Sequence, residues 1–478
     1  MSLNAAFFAA GTGLSATARN ASVVADNIAN SGTEGFAARQ LGLSSMGAGG
    51  LAGGVRVSGV QRLADPGQTA ALRLSGATDA AASEVQAFWR DMETLVGTDG
   101  APGALTARID ALGAAMIQAT SEPDRDVHLA RIAQDARDLA RTFSRIETGI
   151  TDSRTDADAR IARDVAALNT ALQQVERLNT EIARTLVMGA DANGLLDERQ
   201  RVIDALSRIV PVHEMPRPNG AVRLISTGGA VLLHTSAVEI DFTPSPHVGP
   251  GQDLASGWLS GLTINGRPVE TGPDGPLAGG ALAARFEIRD RLAPELQAGL
   301  DRLAADLQDR FAAPATDPTL PPGAPGLLAD TDPAAGTVGL AGRLRLNSLA
   351  DPEQGGALWR LRSGLGALGP GPVGDPVRLD AMARALAERS HLAPDSAARD
   401  TAAHVGAWLS TIGLQRHGAD GARAFSAATD AHLRDGRATG GVDTDAELTR
   451  LLEIEKAYAA NARVIRAVDD MLRRLLEI

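Results

Sequence analysis

NIANSGTEGF, residues Asn27 to Phe36, closes an apolar helical pattern that begins near the start of the chain. Asn, Gly, Ser and Thr crowd this stretch. They favour turns because their side chains bond to nearby backbone groups or because glycine accepts a left-handed conformation. We therefore predict that the stretch stops a helix, with Gly32 as its left-handed cap. Whether it has a further role depends on the patterns at the two chain ends.

Both chain ends carry a narrow apolar stripe, here named the N-terminal seam and the C-terminal seam. Apolar or small residues recur there at alternating steps of four and three, the spacing of a heptad repeat. The N-terminal seam comprises Leu3, Phe7, Ala10, Leu14, Thr17, Ala21, Val24 and Ile28. The C-terminal seam comprises Leu451, Ile454, Tyr458, Asn461, Ile465, Val468, Leu472 and Leu475. A lone helix cannot bury such a stripe, so we predict that the ends pair with each other or with other copies; two unrelated surface helices are the alternative.

Two details of the last helix extend this prediction. Thr444 followed by Glu447 predicts a capping box at the start of the helix. Asn461 would cost stability at a seam position, but a polar residue in such a place can fix the register of two paired helices.

The interior is mainly helical and contains one unusually long pattern. Residues 124–188 keep heptad spacing almost throughout. This predicts a single helix of about 95 Å, at a rise of about 1.5 Å per residue, and a hairpin that turns near 151–158 is the alternative. Another helix is predicted for 194–210. Helical patterns return at 277–312, where Pro294 should kink or restart the helix.

Short β-branched runs interrupt the helices between residues 221 and 270. They are separated by a glycine pair and by the tight turn Asn265-Gly266, which favours a β-hairpin. A second strand-like piece follows a Pro- and Gly-rich segment after residue 312. The chain thus passes outward through helices, then through β-rich segments, and returns through helices. This nested order indicates discontinuous domains stacked along one axis.

Composition narrows the possible functions. The formal net charge is −12 and Lys456 is the single lysine, so the chain offers no basic field for nucleic acid. The chain has no cysteine, which excludes disulfides and thiolate chemistry. No apolar run reaches the roughly 18 residues of a membrane-spanning helix, and the N-terminus lacks the pattern of a cleaved signal peptide. We expect neither nucleic-acid binding nor membrane insertion.

No residue pattern points to catalysis, a cofactor or a metal ion. The eight histidines are scattered, and none shows the spacing of a zinc site. The stretch around Asp191, Asn193 and Gly194 partly resembles a calcium loop. Alignment on its turn glycine puts Gly189 and Gln200 where acidic ligands are required, so this reading fails. We therefore predict that the protein is not an enzyme and has no catalytic, cofactor-binding or metal-binding residues.

Both ends of the chain resemble one protein family. The opening stretch is similar to the N-terminal signature of bacterial flagellar axial proteins, which comprise rod, hook and hook-associated proteins. The residues that carry this similarity, here named the family motif, are Asn27, Ile28, Ala29, Asn30, Thr33, Gly35 and Phe36. The tail AELTRLLEIEKAYAANARVIRAVDDMLRRLL resembles the C-terminal helix of the family. In the interior, GLLDERQRVIDALSRIV and LAGGALAARFEIRD are similar to segments of the hook-associated members that join hook to filament.

The resemblance implies a fold that is mainly α with a β-rich outer domain. This fold would be elongated, with nested discontinuous domains and terminal helices paired as a coiled coil. The inner coiled-coil domain would comprise 1–37 and 441–478, the long-helix bundle 38–210, 276–312 and 376–440, and the β-rich outer domain 211–275 and 313–375.

The resemblance also implies a structural role in the bacterial flagellum. Copies would associate into a ring layer between hook and filament, and would contact hook protein, the next hook-associated junction protein and the filament. The protein would be extracellular, exported by the flagellar type III apparatus without a cleaved signal peptide. An export chaperone would bind the C-terminal helix at about 445–478. Another axial subunit, from rod or hook, is the alternative; a scaffold protein unrelated to flagella and an enzyme on a flagellar scaffold are more distant ones.

Overall fold

Helices build most of the protein. The structure is a computed structural model that describes residues 3–33, 35–46, 53–97, 101, 103–394, 396–439 and 442–476. The α-helices in these ranges are α1 (Leu3–Ala29), α2 (Pro66–Val96), α3 (Leu105–Ser121), α4 (Asp126–Val187), α5 (Asn193–Ile209), α6 (Gly280–Glu287), α7 (Ala293–Ala312), α8 (Leu340–Arg343), α9 (Trp359–Ser363), α10 (Val377–Ala387), α11 (Thr401–Thr439) and α12 (Thr444–Leu476).

The strands are short, and all of their pairings are antiparallel. In the described ranges they are β1 (Arg39–Ser45), β2 (Val55–Arg62), β3 (Val212–Pro216), β4 (Val222–Ser226), β5 (Val231–Leu233), β6 (Ile240–Asp241), β7 (Leu262–Ile264), β8 (Arg267–Val269), β9 (Leu328–Asp330) and β10 (Leu344–Leu346). β1 pairs with β2, β9 pairs with β10, and β3–β4–β5 and β6–β7–β8 form two three-stranded sheets. Asn265 and Gly266, with φ of 49° and 72°, form the turn between β7 and β8, which confirms the predicted hairpin.

The long heptad pattern forms one helix, α4, so the single-helix prediction is confirmed and the hairpin alternative is wrong. α4 contains 62 residues, which corresponds to about 93 Å. Gly149 lets α2 approach this helix closely, because a Cβ there would overlap Leu95 Cδ2. The buried apolar positions of α4 include Leu129, Ile132, Leu139, Phe143, Ile146, Ile150, Ile161, Val165, Leu168, Leu172, Val175 and Ile182.

Two large hydrophobic cores lie along α4, one on each half of the helix. The helical core surrounds the first half and is built with residues of α2, α3, α7, α10 and α11. The β-rich core surrounds the second half, where the two three-stranded sheets pack with α5 and α6. Phe143 and Phe311 are among the largest fully buried side chains of the helical core. Because α4 contributes to both cores, it connects them.

The return segment changes its helix type just before Pro294, as predicted for a helix that proline restarts. Residues Ile288–Leu292 adopt π geometry between α6 and α7, and the N–H of Ala293 donates to the carbonyl of Ile288. Proline lacks an N–H, and its ring crowds the carbonyl of the residue four positions earlier. A wider π turn at this point relieves that conflict.

The segment 313–375 contains less strand than its sequence suggests. It holds β9, β10, short helices and loops, and its residues Leu328 and Leu344 pack in the helical core, away from the sheets of 211–275. Glycine and proline disfavour strand interiors, and β9 and β10 each reach three residues. The fold class is confirmed as mainly α with a β-rich part and paired terminal helices. The division of the chain into three domains stays a prediction.

Candidate assembly site

The helices at the two chain ends, α1 and α12, pack against each other over an extensive contact; together they are named the terminal pair. Gly13 faces Asn461 in this contact, and a Cβ on Gly13 would lie 2.9 Å from Asn461 Nδ2. A side chain at this position would push Asn461 aside, so the glycine allows the close approach of the two helices. Asn461 thus lies in the contact between the helices.

Chain connectivity makes the terminal pair antiparallel. The end of α1 lies beside Arg39, because Asn27 bonds to the backbone of Arg39, and Arg39 pairs with Arg62 across the hairpin. Shortly after Arg62, Gln68 lies next to Gly436 near the end of α11. The few residues between Gly436 and α12 cannot span the 27 residues of α1, a length of about 40 Å. α12 therefore begins near the end of α1, and the start of α1 lies toward the end of α12.

The structure places the predicted seam residues at different depths. Val24, Ile454 and Val468 are buried; Leu3, Leu14, Ile28, Asn461, Ile465 and Leu472 are half-buried; Phe7, Leu451, Tyr458 and Leu475 are exposed. The buried face of α1 is turned relative to the N-terminal seam, since Gly13, Ala16 and Asn27 are buried on it. A search for large apolar residues overlooks a contact made by such small residues and an amide.

The terminal pair leaves many large apolar side chains in solvent. This exposed apolar set comprises Phe7, Phe8, Leu448, Leu451, Leu452, Tyr458, Val464, Met471 and Leu475. The exposed fractions run from 36% for Leu451 to 58% for Leu452 and Leu475. Single exposed apolar residues are ordinary on protein surfaces, but this concentration on one helix pair marks an interaction surface.

Asn27, the first residue of the family motif, ties α1 to β1. Its side chain is fully buried. Nδ2 donates to the carbonyl of Arg39 and Oδ1 accepts from the N–H of Arg39, both at 2.9 Å. The amide therefore pairs with Arg39 as a neighbouring strand would, and it satisfies two backbone groups that would otherwise lack partners.

The polar residues after Asn27 close the C-terminal end of α1. Asn30 Nδ2 donates to the carbonyl of Asp26 at 2.9 Å, and Ser31 Oγ donates to the carbonyl of Ile28 at 3.0 Å. Thr33 Oγ1 donates to Asn30 Oδ1 at 3.3 Å. The carbonyls of Asp26 and Ile28 also accept from the N–H groups of Asn30 and Ser31, at 3.1 and 3.4 Å, so backbone and side chains of the motif together close the last turn. This part of the motif therefore acts as the helix stop that the sequence predicts.

Gly35, not Gly32, supplies the left-handed residue of the turn, so the prediction for Gly32 is wrong. Gly35 has φ of +81°, and a Cβ there would overlap Arg201 Cγ on α5. Both the backbone conformation and the close approach to α5 favour glycine at this position. The next residue, Phe36, places its ring 4.9 Å from the guanidinium carbon of Arg39. The end of the motif thus lies against α5 and β1.

A charge cluster fastens the hairpin of β1 and β2 to α5. Asp197 Oδ2 accepts from Arg39 Nη2 at 3.0 Å, and Asp197 Oδ1 accepts from Arg62 Nε at 2.7 Å. Arg62 also donates to Gln200 Oε1. These four residues are named the Asp197 cluster. The sequence analysis did not predict this cluster, because residues so far apart in the chain show no characteristic spacing. The family resemblance included the segment GLLDERQ, which contains Asp197 and Gln200, but it did not indicate their partners.

Asp443, rather than Thr444, caps the start of α12. Its Oδ1 accepts from two N–H groups of the first helical turn, at 3.0 and 3.1 Å. The predicted capping box is therefore wrong, and the side chain of Glu447 pairs with Arg450 at 2.8 Å instead. Aspartate is a strong N-cap, and its charge also suits the positive end of the helix.

Outside the terminal pair, the described residues include a polar cluster whose residue types are those of a catalytic triad. In the described part of the chain, no group of three or more His, Asp or Glu side chains is placed to hold a metal ion. Ser390, His404 and Asp306 resemble a hydrolase triad in composition, but Asp306 accepts from Ser390 Oγ at 2.7 Å and His404 Nε2 bonds to the Ser390 carbonyl at 2.9 Å. In a triad the carboxylate would orient the histidine. Among the described helices, none has both the length and the apolar character needed to cross a membrane.

Two carboxyl groups in the helical core have raised pKa values. Burial is the main cause at both Glu147 and Asp301, and the charge of Asp301 raises the pKa of Glu147 further. His247 and Arg343 lower the pKa of Glu147 in part. The folded state thus binds these protons more tightly than the unfolded chain does. Ionisation therefore costs stability at neutral pH, and this cost disappears as the pH falls through the raised pKa values.

We expect Glu147→Gln to be more stable than the parent chain at neutral pH, because the variant removes a carboxylate that burial disfavours. This advantage should shrink as the pH falls through the raised pKa of Glu147. Urea denaturation at neutral and mildly acidic pH measures it. Glu181→Gln, at an exposed position of α4, is the control and should show no such trend. An advantage that grows on acidification would contradict the prediction.

Three family models match the chain. The model described as "Flagellar hook-associated protein FlgK helical domain" matches residues 89–316. The model "Flagella basal body rod protein" matches 8–36, and "Flagellar basal body rod FlgEFG protein C-terminal" matches 439–478. The two rod models therefore fall on the terminal pair, and the helical-domain model covers α4.

Named relatives agree with these models. Flagellar hook-associated protein 1 of Bacillus subtilis is 21% identical over 504 residues, which cover 97% of this chain and 96% of that protein. The protein of the same name from Salmonella typhimurium is 27% identical over 254 residues, which cover 47% of this chain and 42% of that protein. A solved structure of the flagellar hook junction protein FlgK from Burkholderia pseudomallei is 19% identical, with a TM-score of 0.45, over 54% of this chain and 46% of that chain. The family models and the named relatives show that this chain is similar to flagellar hook-associated protein 1 over nearly its full length.

Proposed function

We propose that copies of this chain form the junction between the hook and the filament of the bacterial flagellum, and that the filament needs this junction to assemble. The exposed apolar set carries the proposal. A helix pair made from both chain ends presents it to solvent, and association with other subunits would remove it from water. Similarity to flagellar hook-associated protein 1 supports this use of the surface.

In the proposed layer, terminal pairs of neighbouring copies pack side by side around the axis. This inner domain comprises 1–37 and 441–478, the helical domain lies outside it, and the β-rich domain faces outward. Contacts between unlike surfaces of identical subunits close into a ring when the rotation between subunits permits. The layer meets hook protein on one side and the next hook-associated protein and filament on the other.

The proposed role is structural, with no catalytic step and no cofactor. The chain is exported by the flagellar type III apparatus without a cleaved signal peptide and is extracellular in the flagellum. Before assembly, the apolar residues of α12 need a temporary cover. An export chaperone that binds about 445–478 provides one.

Leu452→Glu should prevent filament growth while hooks remain. Leu452 is 58% exposed in the monomer, so its replacement should leave folding intact, whereas a charge in an apolar contact between subunits is costly. Electron microscopy of cells that make the variant instead of the parent chain counts hooks and filaments. Immunoblots of whole cells and of the culture medium check that the variant is made and exported.

Leu368→Glu is the matched control for this experiment. Leu368 is fully exposed in a loop outside the terminal pair, so the same chemical change there should leave filaments normal. Normal filaments with Leu452→Glu, or equal loss of filaments with both variants, would count against an assembly role of the exposed apolar set.

A further inference from the structure

Apart from the chain connection between α11 and α12, the terminal pair makes its extensive contacts with the rest of the described residues through one small hairpin, formed by β1 and β2. In the described residues, the extensive contacts of α12 are with α1, and those of α1 are with α12, β1 and β2. Thr12 Oγ1 accepts from the N–H of Val55 at 3.2 Å, and Asn27 pairs with the backbone of Arg39. The hairpin therefore moves with α1, and its own docking determines where the terminal pair points.

The hairpin docks on α5 mainly through polar contacts. Leu41 is the buried residue of β1, and every residue of β2 keeps some exposure. Besides the Asp197 cluster, Asn193 Nδ2 donates to the carbonyl of Val60 at 3.2 Å, and Gly35 lies against Arg201. With so little apolar burial, the orientation of the hairpin depends on these directed contacts.

Asp197 holds two like charges together within this docking contact. Arg39 and Arg62 are direct partners in the register of β1 and β2, and like charges placed directly opposite each other destabilise a strand pair. Each oxygen of Asp197 accepts from one of the two guanidinium groups. The Asp197 side chain is 10% exposed, so solvent screens these interactions only in part. Removal of the carboxylate would break both contacts and leave two cations opposed.

We infer that Asp197 is the positioning residue that fixes the direction in which the terminal pair leaves the body of the protein. It acts through Arg39 and Arg62, because its carboxylate on α5 holds both guanidinium groups of the hairpin. Loss of its charge frees the hairpin and the terminal pair as one unit, while the two hydrophobic cores keep their packing. The inference concerns the monomer and is independent of the proposed place in the flagellum.

Distances between two spin labels in the monomer test this inference. The chain has no cysteine, so Ser15→Cys on α1 and Glu181→Cys on α4 give two specific labelling sites, both exposed. Double electron–electron resonance should show one narrow distance peak for the parent chain. Asp197→Asn should lose this peak and give a broad distribution, while circular dichroism shows unchanged helix content.

Three further variants separate positioning from a general structural role. Glu198→Gln removes a neighbouring charge that pairs with Arg201 and not with the hairpin, and it should keep the narrow peak. Arg62→Gln removes one docking contact and should broaden the peak less than Asp197→Asn does. The double variant Arg62→Gln with Asp197→Asn should give a narrower distance distribution than Asp197→Asn alone, because one of the two opposed cations has been removed.

An unchanged narrow peak in Asp197→Asn would overturn the inference. So would a distribution for the double variant that is broader than for either single variant, because independent structural losses would simply add. If Asp197→Asn fails to fold, the test compares the distance distributions of Arg62→Gln and Glu198→Gln. Equal distributions for these two variants would also overturn the inference.

Discussion

Arg289→Met is expected to cost about 3–5 kcal/mol of folding stability, the range for breaking a buried ion pair from one side. The Arg289 side chain is fully buried, and its Nη1 donates to Asp158 Oδ1 at 2.6 Å while its Nε donates to Asp290 Oδ1 at 2.7 Å. The side chain of Asp158 is 1% exposed. Loss of the guanidinium therefore leaves a buried carboxylate without its counter-charge.

The surroundings of Arg289 add to this effect. The rings of Phe242 and Phe286 lie 5.6 and 4.8 Å from its guanidinium carbon. Arg154 Nε donates to the backbone carbonyl of Arg289 at 2.9 Å, and the other nitrogens of Arg154 donate to carbonyls of the segment before β7. Burial lowers the pKa of Arg154. This group of charges lies where the two hydrophobic cores meet on α4, so its loss weakens their connection.

Urea denaturation followed by circular dichroism measures the cost of Arg289→Met. Arg291→Met is the matched control, because Arg291 is 54% exposed and pairs with Glu287 and Glu295; its expected cost is below about 1 kcal/mol. The double variant of Arg289→Met with Asp158→Leu should recover part of the loss, since the almost fully buried carboxylate of Asp158 is then removed together with its counter-charge. Equal costs for Arg289→Met and Arg291→Met would contradict the argument.

Periodic patterns predicted the helices and the hairpin turn because the fold imposes those periods directly on the sequence. A helix that buries one face needs apolar residues at heptad spacing, and both α4 and the terminal pair show it. Asn265-Gly266 predicted the β7–β8 turn because both positions need positive φ. The helices and the turn depend on residues that are close together in the chain, so one sequence is enough to predict them.

The contact face of α1 and the caps were predicted less well because they depend on partners outside their own segment. Gly13 and Asn27 lie in buried contacts because Asn461 and the backbone of Arg39 are opposite them. Gly35 needs its conformation because the chain turns there against α5. The intrinsic preference of glycine for a left-handed conformation is the same at Gly32 and at Gly35, so the sequence alone does not distinguish the two positions.

The charge clusters could not be predicted from the sequence. The chain has 46 basic and 58 acidic residues, so many pairings are possible, and the tertiary fold selects the few that occur. Asp197 meets Arg39 and Arg62, and Asp158 meets Arg289, across long stretches of chain. The helices of the candidate assembly site were therefore predictable, but the polar contacts that orient it were not. Of the nine residues in the exposed apolar set, four belong to the predicted seams: Phe7, Leu451, Tyr458 and Leu475.

Deletion of residues 445–478 is expected to have the largest effect on the cell. The deletion removes nearly all of α12 with the C-terminal seam, and α1 loses the helix against which it packs. Copies can then form no inner layer, so the filament has nothing on which to assemble. The hook lies before the junction in the proposed order and should form normally.

The most direct measurement compares cells that make the truncated chain with cells that make the full chain from the same vector. Electron microscopy should show hooks without filaments for the truncated chain, and immunoblots should find flagellin monomer shed into the medium. The full chain should restore filaments on the same hooks. Normal filaments in cells that have only the truncated chain would contradict the proposal that this protein joins the hook to the filament through its terminal pair.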